Sequence, residues 1–339
     1  MKHLLSLADF TSEEILSLFQ LTKEVKEKQK KGILYTPLAG KVLGMIFQRP
    51  STRTSVSFAV GMYQLGGLPL IFNVEELQLR RGETLADTAR VFSRYVDGVM
   101  IRTVNHQDLT EFARHSTVPV INGLTNLEHP CQVLSDLYTI SEKIQSFDKL
   151  RIDPEQSRTG QNSKFPPQRI CLRHDKIQNL KVVFLGEGNN VANSWIFGAG
   201  IMGMNLIICT PRGYEPDEKI YQQGKKIAKK NGVEILVSHK PEEAVKDADV
   251  LYTDVWVSMG EKKKVNLKER KKVFQPYQLN SNLLRKAKPN CLVMHCLPAH
   301  RGEEITDEVI DGRNSVVFDQ AENRLHLQKA LLVKMIRKE

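Results

Sequence analysis

The run Lys41-Val-Leu-Gly-Met-Ile-Phe47, followed directly by Gln48-Arg-Pro-Ser-Thr-Arg-Thr54, contains the transition that decides the fold. The first run is apolar and partly β-branched, as expected of a buried strand. Val56–Leu65 then has helical content and is followed by Gly66-Gly67, which is typical of a helix end. Ser51 is therefore predicted to lie where a helix begins. Free backbone amides, the positive end of the helix dipole and a neighbouring guanidinium would suit a phosphate group there.

The same succession of strand and helix recurs along the chain. The apolar runs predicted as strands are Lys41–Phe47, Gly98–Arg102 and Val118–Asn122 in the first half, and Lys181–Leu185, Asn205–Cys209, Val250–Val255, Cys291–Cys296 and Ser315–Phe318 in the second. Strands that alternate with helices favour parallel sheets. We expect an α/β protein with two doubly wound domains, each with its own core, joined by helices and with the active site in the cleft between them.

The domain boundaries follow from a change in composition near the middle of the chain. Residues 146–179 are polar and charged, with Pro154, Gly160 and the pair Pro166-Pro167, and are predicted to be an extended loop or insertion. The first domain would then span residues 1–145 and the second 180–321. The last segment, 322–339, is predicted to be a helix that packs back on the first domain. Its predicted buried positions are Leu325, Leu327, Ala330, Leu331, Val333 and Met335.

Composition narrows the class of protein. The chain has 339 residues, of which 41% are hydrophobic. No apolar stretch approaches the roughly 20 residues that span a bilayer, and the N-terminus is too short in its apolar part for a secretion signal. It leads into Thr11-Ser-Glu-Glu14, whose capping-box spacing predicts the start of a first helix. Five cysteines without a CxxC pair argue against a disulfide framework or a structural zinc site. We expect a cytoplasmic protein without a metal or cofactor and without a membrane partner.

The net charge of +10 comes mainly from two segments. Between Phe147 and Lys181 there are eight Lys/Arg against four Asp/Glu, and between Glu261 and Lys272 there are seven against two. Neither segment alternates aromatic with basic residues, as a surface that stacks on bases would. Both are predicted to be solvated basic loops, and no nucleic-acid partner is expected.

Polar side chains recur where the predicted strands end. Arg102 ends a strand, and the His129-Pro-Cys-Gln132 box opens a helix, so His129 and Gln132 could hold a carbonyl oxygen or an anion. Gly186-Glu-Gly-Asn-Asn190 resembles the start of a dinucleotide fingerprint. Val191, however, stands where the third glycine is required, so the turn more plausibly reads a polar small molecule.

The second half adds an acid, a thiol and another cation. Asp254-Val-Trp-Val-Ser-Met-Gly260 follows a strand, and Asp254 could pair with the ammonium group of a ligand. His295-Cys-Leu-Pro298 brings a thiol to the same edge, and Arg324 could reach the same cleft. Because no covalent nucleophile stands out, these residues indicate direct transfer between two bound substrates.

Five blocks in order identify a family. The chain resembles the ornithine carbamoyltransferases of the aspartate/ornithine carbamoyltransferase family, along nearly its whole length apart from residues 146–179. The blocks are Ser51-Thr-Arg-Thr54, His129-Pro-Cys-Gln132, Gly186-Glu-Gly-Asn-Asn190, Asp254-Val-Trp-Val-Ser-Met-Gly260 and His295-Cys-Leu-Pro298. The resemblance implies transfer of the carbamoyl group of carbamoyl phosphate to the δ-amine of L-ornithine, giving L-citrulline and phosphate.

The resemblance also implies the role of each site residue. Carbamoyl phosphate would be bound by Ser51, Thr52, Arg53, Thr54, Gln78, Arg102, His129, Gln132, Cys296, Leu297 and Arg324, of which Arg102, His129, Cys296 and Arg324 would be catalytic. Ornithine would be bound by Asn190, Asp254, Ser258 and Met259. In the family, the residue corresponding to Gln78 reaches the neighbouring subunit's site, so a homotrimer or a multiple of trimers is expected. Ser55, Ala59 and Arg80 depart from the usual family residues.

Other functions remain open at this point. Putrescine, N-acetylornithine or aspartate could be the acceptor, although Asp254 would repel the second carboxylate of aspartate. A non-catalytic binding or scaffold protein on the same fold is the alternative from another class. The presence of Arg53, Arg102 and His129 favours an enzyme.

Overall fold

The computed structural model describes residues 3–78, 82–150, 177–257 and 266–337, with only the backbone described at 145–150. Among these residues, no helix combines the length and the apolar character needed to cross a bilayer. The strands are β1 (Val42–Phe47), β2 (Leu68–Asn73), β3 (Gly98–Arg102), β4 (Val120–Leu124), β5 (Lys181–Leu185), β6 (Asn205–Cys209), β7 (Ile235–Ser238), β8 (Val250–Thr253) and β9 (Leu292–His295).

Twelve α-helices lie in the described ranges. They are α1 (Ser12–Lys30), α2 (Thr52–Gln64), α3 (Leu85–Tyr95), α4 (His106–His115), α5 (Pro130–Leu150), α6 (Asn190–Met202), α7 (Glu218–Lys230), α8 (Pro241–Ala244), α9 (Leu267–Phe274), α10 (Ser281–Leu284), α11 (Asp307–Ile310) and α12 (Val317–Ile336).

The strands form two parallel sheets, as the alternation of strand and helix predicts. The first has the order β2-β1-β3-β4 and the second the order β7-β6-β5-β8-β9. In each sheet the order reverses once, between β1 and β3 in the first and between β5 and β8 in the second. Ligands of doubly wound sheets bind at such switch points, at the carboxyl ends of the strands. The topology therefore predicts that ligands bind at the loops that follow these four strands.

The strand predictions are right for most of the runs. Gly98–Arg102, Lys181–Leu185 and Asn205–Cys209 have the predicted bounds, whereas β4 begins two residues later than predicted and β8 and β9 are shorter. The strand predicted at Ser315–Phe318 is wrong. Ser315 makes only an isolated bridge to Val293, and α12 has already begun at Val317. Periodicity does not separate a short apolar run in a strand from the first turn of a buried helix.

Two edge strands were not predicted. β2 has mostly exposed side chains and contains Pro69, and β7 has only four residues. An edge strand that is covered on fewer sides carries a weaker apolar signal than a central strand, and proline is tolerated there.

The predicted helix starts are confirmed. Thr11 caps α1 in a capping box with Glu14, Ser51 is the N-cap of α2, and α5 begins at Pro130. Helix α5 runs to Leu150, five residues into the segment predicted as an insertion, because its helical turns continue past residue 145. The rest of that segment, residues 151–176, lies outside the described residues.

Helix α12 begins five residues earlier than predicted and packs against α1, α2 and α5. Leu327, Ala330, Leu331, Val333 and Met335 are buried as predicted, and Leu325 is half-buried. The helix also contacts β9 of the second sheet. It therefore touches both halves of the molecule.

The expectation of two separate cores is wrong. The largest apolar cluster includes Leu43 and Met45 of the first sheet together with Val182 and Phe184 of the second. Side chains of α5, α6 and α12 belong to the same cluster, because these helices bury apolar faces toward both sheets. Smaller clusters cover the outer face of each sheet.

Candidate active site

The N-terminus of α2 opens at the switch point of the first sheet. Ser51 has an extended backbone and its hydroxyl makes no capping hydrogen bond to the helix. The first amides of a helix have no partner within the helix, so those of α2 point toward the space in front of Ser51. Thr52 is exposed, Arg53 is half-buried and Thr54 is buried. This arrangement is a helix-terminal anion site of the predicted kind.

Gln48 connects the ends of the two strands at this switch point. Its side-chain Oε1 accepts hydrogen bonds from Thr103 Oγ1 (2.8 Å) and from the backbone N–H of Val104 (2.7 Å). Its own N–H donates to the carbonyl of Arg102 (2.8 Å). Arg102 is thereby held beside the start of α2. Gln48 was not predicted as a site residue, although it directly follows β1 and precedes the predicted phosphate-binding residues.

Three arginines converge here from three elements. Burial, together with the charges of Arg324 and Arg53, lowers the pKa of Arg102 to about 10. The pKa values of Arg53 and Arg324 are also lowered, in both cases first by burial. No carboxylate forms an ion pair with any of the three among the described residues. Such a concentration of cations at a helix N-terminus favours the binding of an anion.

His129 is buried immediately before α5. Its backbone N–H donates to Ser194 Oγ (2.8 Å), and Nδ1 has no partner among the described residues. Burial holds the pKa of His129 well below its usual value, with further lowering by Arg324 and Arg102. At neutral pH this imidazole is therefore neutral, and it can donate one N–H without carrying a charge.

Arg324 joins the helices that surround the site. Its Nη1 donates to Gln132 Oε1 (2.5 Å) and its Nη2 to Thr54 Oγ1 (3.2 Å). Three residues predicted for one site thus come together from α2, α5 and α12, although they are far apart in sequence.

The second sheet contributes an acid at its own switch point. Asp254 follows β8 and is 7% exposed. Its carboxylate accepts hydrogen bonds from Asn189 Nδ2 (2.7 Å), Cys296 Sγ (2.9 Å) and the backbone N–H of Val255 (2.8 Å). Asn189 also caps α6, so one side chain fixes both the helix start and the acid. The charge of Asp254 partly offsets the lowering of the pKa of Arg53 by burial, so the acid at the second sheet acts on the arginine at the start of α2.

Cys296 remains a thiol at neutral pH. Burial raises its pKa well above the usual value, and the charge of Asp254 raises it further. A thiolate nucleophile is therefore disfavoured, in agreement with the predicted absence of a covalent intermediate.

His295 positions the backbone that follows β9. Its Nδ1 accepts a hydrogen bond from the N–H of Leu297 (2.8 Å), and its Nε2 lies 3.1 Å from Glu304 Oε1. Since Nδ1 is an acceptor, Nε2 carries the proton and donates to the buried carboxylate. Leu297 has φ +57°. Glu304 was not found by the sequence analysis, because it lies nine residues away on a loop without a motif.

The fold also brings together side chains of the types that bind metal ions, although their spacing in the sequence matches no metal-binding motif. Ligand atoms of Asp254, His295 and Cys296 lie within 4.8 Å of one another, as do those of His300, Glu303 and Glu304. Both ring nitrogens of His295 and the thiol of Cys296 already make hydrogen bonds. A cation in the first group would have to displace these bonds.

The remaining predicted residues have different outcomes. Asn190 Nδ2 donates to the carbonyl of Thr125 (2.6 Å), which ties α6 to the first half of the chain. Gln78 is exposed, and its backbone carbonyl accepts a hydrogen bond from the N–H of Glu83 (3.3 Å). Ser258, Met259 and Gly260 lie outside the described residues.

The second basic segment was predicted to be a solvated loop, and this prediction is wrong for its second part. Residues 267–274 form α9, and Arg270 is buried. Its guanidinium pairs with Glu187 (2.5 Å), its Nε donates to the carbonyl of Trp256 (2.9 Å), and it lies over the ring of Tyr214. A buried arginine in such a setting supports the loop after β8. Charge counting alone does not distinguish it from the exposed lysines around it.

Comparisons with known proteins agree with this geometry. Residues 2–142 match the profile of the aspartate/ornithine carbamoyltransferase carbamoyl-P binding domain, and residues 178–335 match that of the Asp/Orn binding domain. The anabolic ornithine carbamoyltransferase of Pyrococcus furiosus is 49% identical over 331 residues, which is 98% of this chain and 95% of the relative. The ornithine carbamoyltransferase of Thermococcus kodakarensis is 48% identical with the same coverage.

Solved structures show the same likeness. The ornithine carbamoyltransferase structure from Pyrococcus furiosus superposes with a TM-score of 0.87 at 48% identity, over 99% of this chain and 97% of that one. The anabolic enzyme from Campylobacter jejuni superposes with a TM-score of 0.83 at 38% identity, over 99% of both chains.

Proposed function

The chain belongs to the aspartate/ornithine carbamoyltransferase family, and we propose that it transfers the carbamoyl group of carbamoyl phosphate to the δ-amine of L-ornithine, giving L-citrulline and phosphate. Its activity is that of a carbamoyltransferase acting on ornithine, as in the relatives that it matches along both chains. The observation that carries the proposal is the group of three guanidiniums and a neutral imidazole at the N-terminus of α2.

The phosphate of carbamoyl phosphate binds in front of α2. The backbone and hydroxyls of Ser51, Thr52 and Thr54 receive its oxygens, and Arg53 and Arg102 neutralise its charge. The mutual repulsion of the arginines supports this role, since a dianion relieves it. Gln78 is assigned to the same ligand in a neighbouring subunit.

The carbonyl oxygen of the carbamoyl group points toward Arg102, His129 and Thr54. During the attack this oxygen becomes an oxyanion, and these donors stabilise the developing charge. The lowered pKa of His129 means that the imidazole polarises the carbonyl as a neutral donor and does not protonate it. Gln132, Leu297 and Arg324 complete the surroundings of the reacting carbon.

The δ-amine of ornithine attacks as a free base. An alkylammonium group ordinarily has a pKa near ~10.4, so the amine must lose a proton before the attack. Three guanidiniums and the positive end of α2 disfavour a fourth cation at that position, which favours the neutral amine. The nitrogen forms a bond to the carbonyl carbon, the bond to the phosphate oxygen breaks, and the departing phosphate accepts the proton of the new amide nitrogen.

The opposite end of ornithine is bound at the second sheet. Asp254 pairs with the α-ammonium, and Asn190, Ser258 and Met259 hold the remaining α-substituents. The hydrogen bonds from Asn189 and Cys296 that orient Asp254 support this assignment. The raised pKa of Cys296 supports direct transfer over a thiol-bound intermediate. Orientation of two substrates between two sheets contributes much of the remaining rate.

The protein assembles as a homotrimer or a multiple of trimers. Strand β2 lies at the edge of its sheet and exposes Leu68, Leu70 and Ile71, and the adjoining α2 exposes Val56 and Tyr63. An apolar edge strand of this kind is usually covered by another chain. Gln78 follows β2 by five residues and would reach the neighbour's site from this edge.

Three further assignments accompany the proposal. Residues 1–145 form the carbamoyl-phosphate-binding domain, 180–321 the ornithine-binding domain, and the last helix returns to the first domain. The reaction serves arginine biosynthesis, as the word anabolic in the names of two relatives suggests. The cytoplasm is the proposed compartment, which the four free cysteines among the described residues support.

A comparison of acceptors tests the function. Carbamoyl transfer from carbamoyl phosphate would be measured with ornithine, putrescine, N-acetylornithine and aspartate under identical conditions. We expect rapid citrulline formation with ornithine alone. Preference for another amine would overturn the assignment of the ornithine residues and retain the phosphate half of the site. Failure with all four amines would favour a binding or scaffold protein.

A further inference from the structure

The side-chain amide of Gln132 is oriented by its two neighbours. Its Nε2 donates to Asp136 Oδ1 (2.8 Å), and its Oε1 accepts from Arg324 Nη1 (2.5 Å). Turning the amide over would place Nε2 against the guanidinium, donor to donor, and Oε1 against the carboxyl oxygen, acceptor to acceptor. Asp136 and Arg324 therefore keep the oxygen of Gln132 on the side of the guanidinium cluster.

Asp136 is itself held firmly in place. It is fully buried on α5, and the same Oδ1 atom also accepts a hydrogen bond from Gln320 Nε2 (2.7 Å). Gln320 in turn accepts from the backbone N–H of His295 (3.0 Å). A carboxyl that turned away from this position would leave Gln132 Nε2 without its acceptor, while Gln320 Nε2 would keep only Tyr252 Oη (3.3 Å). A buried donor left unsatisfied costs about 1–3 kcal/mol. The acceptor that faces Gln132 is thus fixed by contacts from α5, α12 and β9.

We propose that Asp136 is a positioning residue that makes the site selective for an acyl phosphate whose acyl group bears N–H. By accepting from Nε2, it turns Oε1 of Gln132 toward the substrate. That oxygen has two lone pairs, of which Arg324 uses one, and the other accepts an N–H of the carbamoyl group. The inference rests on the proposed function, because it takes carbamoyl phosphate as the ligand beside Gln132.

The chemical consequence is discrimination between two acyl phosphates of similar shape. Carbamoyl phosphate carries an NH₂ group where acetyl phosphate carries a methyl group. An amide oxygen at this position binds the first and leaves an unsatisfied acceptor against the second. If Gln132 were turned over, its NH₂ would face the substrate's NH₂, and the preference would be lost. Asp136 touches neither substrate and acts through Gln132 alone.

The test compares KM for carbamoyl phosphate with the inhibition constant of acetyl phosphate as a competitor, in wild-type protein and in Asp136→Ala. One neutral hydrogen bond corresponds to a factor of about ten at most. We therefore expect KM for carbamoyl phosphate to rise, so that the ratio of the acetyl phosphate inhibition constant to this KM falls by about five- to tenfold. Acetyl phosphate affinity itself should stay within about twofold, since the phosphate contacts are unchanged. An unchanged ratio in folded Asp136→Ala would overturn the inference.

Three further variants separate positioning from a structural effect. Asp136→Asn keeps an oxygen that can accept from both amides, so its ratio should remain close to that of wild type; a loss equal to that of Asp136→Ala would contradict the acceptor role. Ser135→Ala, the neighbouring buried position on α5, should behave as wild type. Asp136→Val fills the volume of the aspartate, so it supplies the same measurement if the alanine variant does not fold.

A double-mutant comparison and the wild-type assay complete the design. In a Gln132→Ala background, Asp136→Ala should have no further effect on the ratio, because the proposed effect passes through Gln132. An equal effect in both backgrounds would contradict that route. Wild-type protein that transfers no carbamoyl group would refute the proposed function. If the wild-type protein is active but Asp136→Ala leaves the ratio of the two constants unchanged, this inference alone is refuted.

Discussion

Burial and like charge act together on the side chains in front of α2. Burial lowers the pKa values of Arg53, Arg102 and Arg324, and the charge of Arg53 lowers those of Arg102 and Arg324 further. Burial and these three charges together keep His129 neutral. No carboxylate within ion-pairing distance compensates these arginines among the described residues. The cluster therefore costs stability in the absence of a ligand and gains free energy when an anion binds, as in other preorganised sites.

Arg53→Ala tests this balance at the level of one residue. Removing a charge-assisted contact to phosphate, worth about 3 kcal/mol, should raise KM for carbamoyl phosphate by about 100-fold or more. The thermal midpoint should be unchanged or slightly higher, because one of three mutually repelling charges is gone. Steady-state kinetics and calorimetry provide the measurements. Arg90→Ala is the control, since Arg90 lies on α3 in an exposed pair with Asp87. Wild-type turnover by Arg53→Ala would contradict the phosphate assignment.

Among the secondary-structure elements, helix N-termini line the proposed ligand site and an edge strand forms the proposed subunit interface. The N-termini of α2, α5 and α6 all open at the carboxyl edge of a sheet, which is where the polar loops lie. Strands β2 and β7 are both edge strands, but β2 exposes three large apolar side chains while β7 exposes only Leu236. This difference favours β2 as the covered edge.

Ile71→Asp should therefore break the assembly. A carboxylate in a buried apolar contact between subunits is desolvated without a partner, so we expect smaller species and reduced activity, as Gln78 would no longer reach a neighbour. Sedimentation combined with the citrulline assay would show both effects. Leu236→Asp is the control, because it introduces the same charge on β7, an edge strand of the second sheet, and should leave assembly and activity unchanged. An Ile71→Asp variant with the mass and activity of wild type would refute the proposed interface.

In the whole molecule, buried carboxyl groups link the two sheets to the reaction site. Glu128 accepts from the backbone N–H of Leu7 (3.0 Å) and lies beside Ser194, which accepts from His129. Asp136 connects α5 to α12 and through it to β9. Burial raises the pKa of each of these carboxyls to about 7. Their protonation is therefore coupled to folding.

The pH dependence of stability should reflect these two groups. The folded protein holds their protons up to about pH 7, whereas the unfolded chain releases them near pH 4, so their stabilising contribution is complete below pH 4 and is lost as the pH rises to 7. Each group contributes a slope of at most about 1.4 kcal/mol per pH unit in that window. The stability of Asp136→Asn relative to wild type should therefore increase as the pH rises from 4 to 7 and should increase no further above pH 7. Denaturant titrations at several pH values would measure the difference, and a constant difference would contradict the raised pKa.

Local chemistry carried much of the argument from sequence. Apolar runs between polar turns predicted seven of the nine strands that lie in the described residues. Thr11, Ser51 and Pro130 indicated three helix starts, because these signals depend on neighbours in the chain. The same signals failed at Ser315, because a short apolar run at the start of a buried helix resembles a strand. They also failed at β2, because most side chains of this strand are exposed. The five blocks identified the family for the same reason, since each is contiguous.

What the sequence by itself determined was the type of most elements, the parallel α/β class, the family and the residues proposed for the site. Only the tertiary structure decided which side chains meet: Arg324 with Gln132 and Thr54, Asn189 with Asp254, and Gln320 with Asp136. It also decided that Arg270 is buried and that one apolar core spans both sheets. The physical reason is that burial, pKa and hydrogen-bond partnership depend on groups 65 to 270 positions apart, which no local pattern encodes.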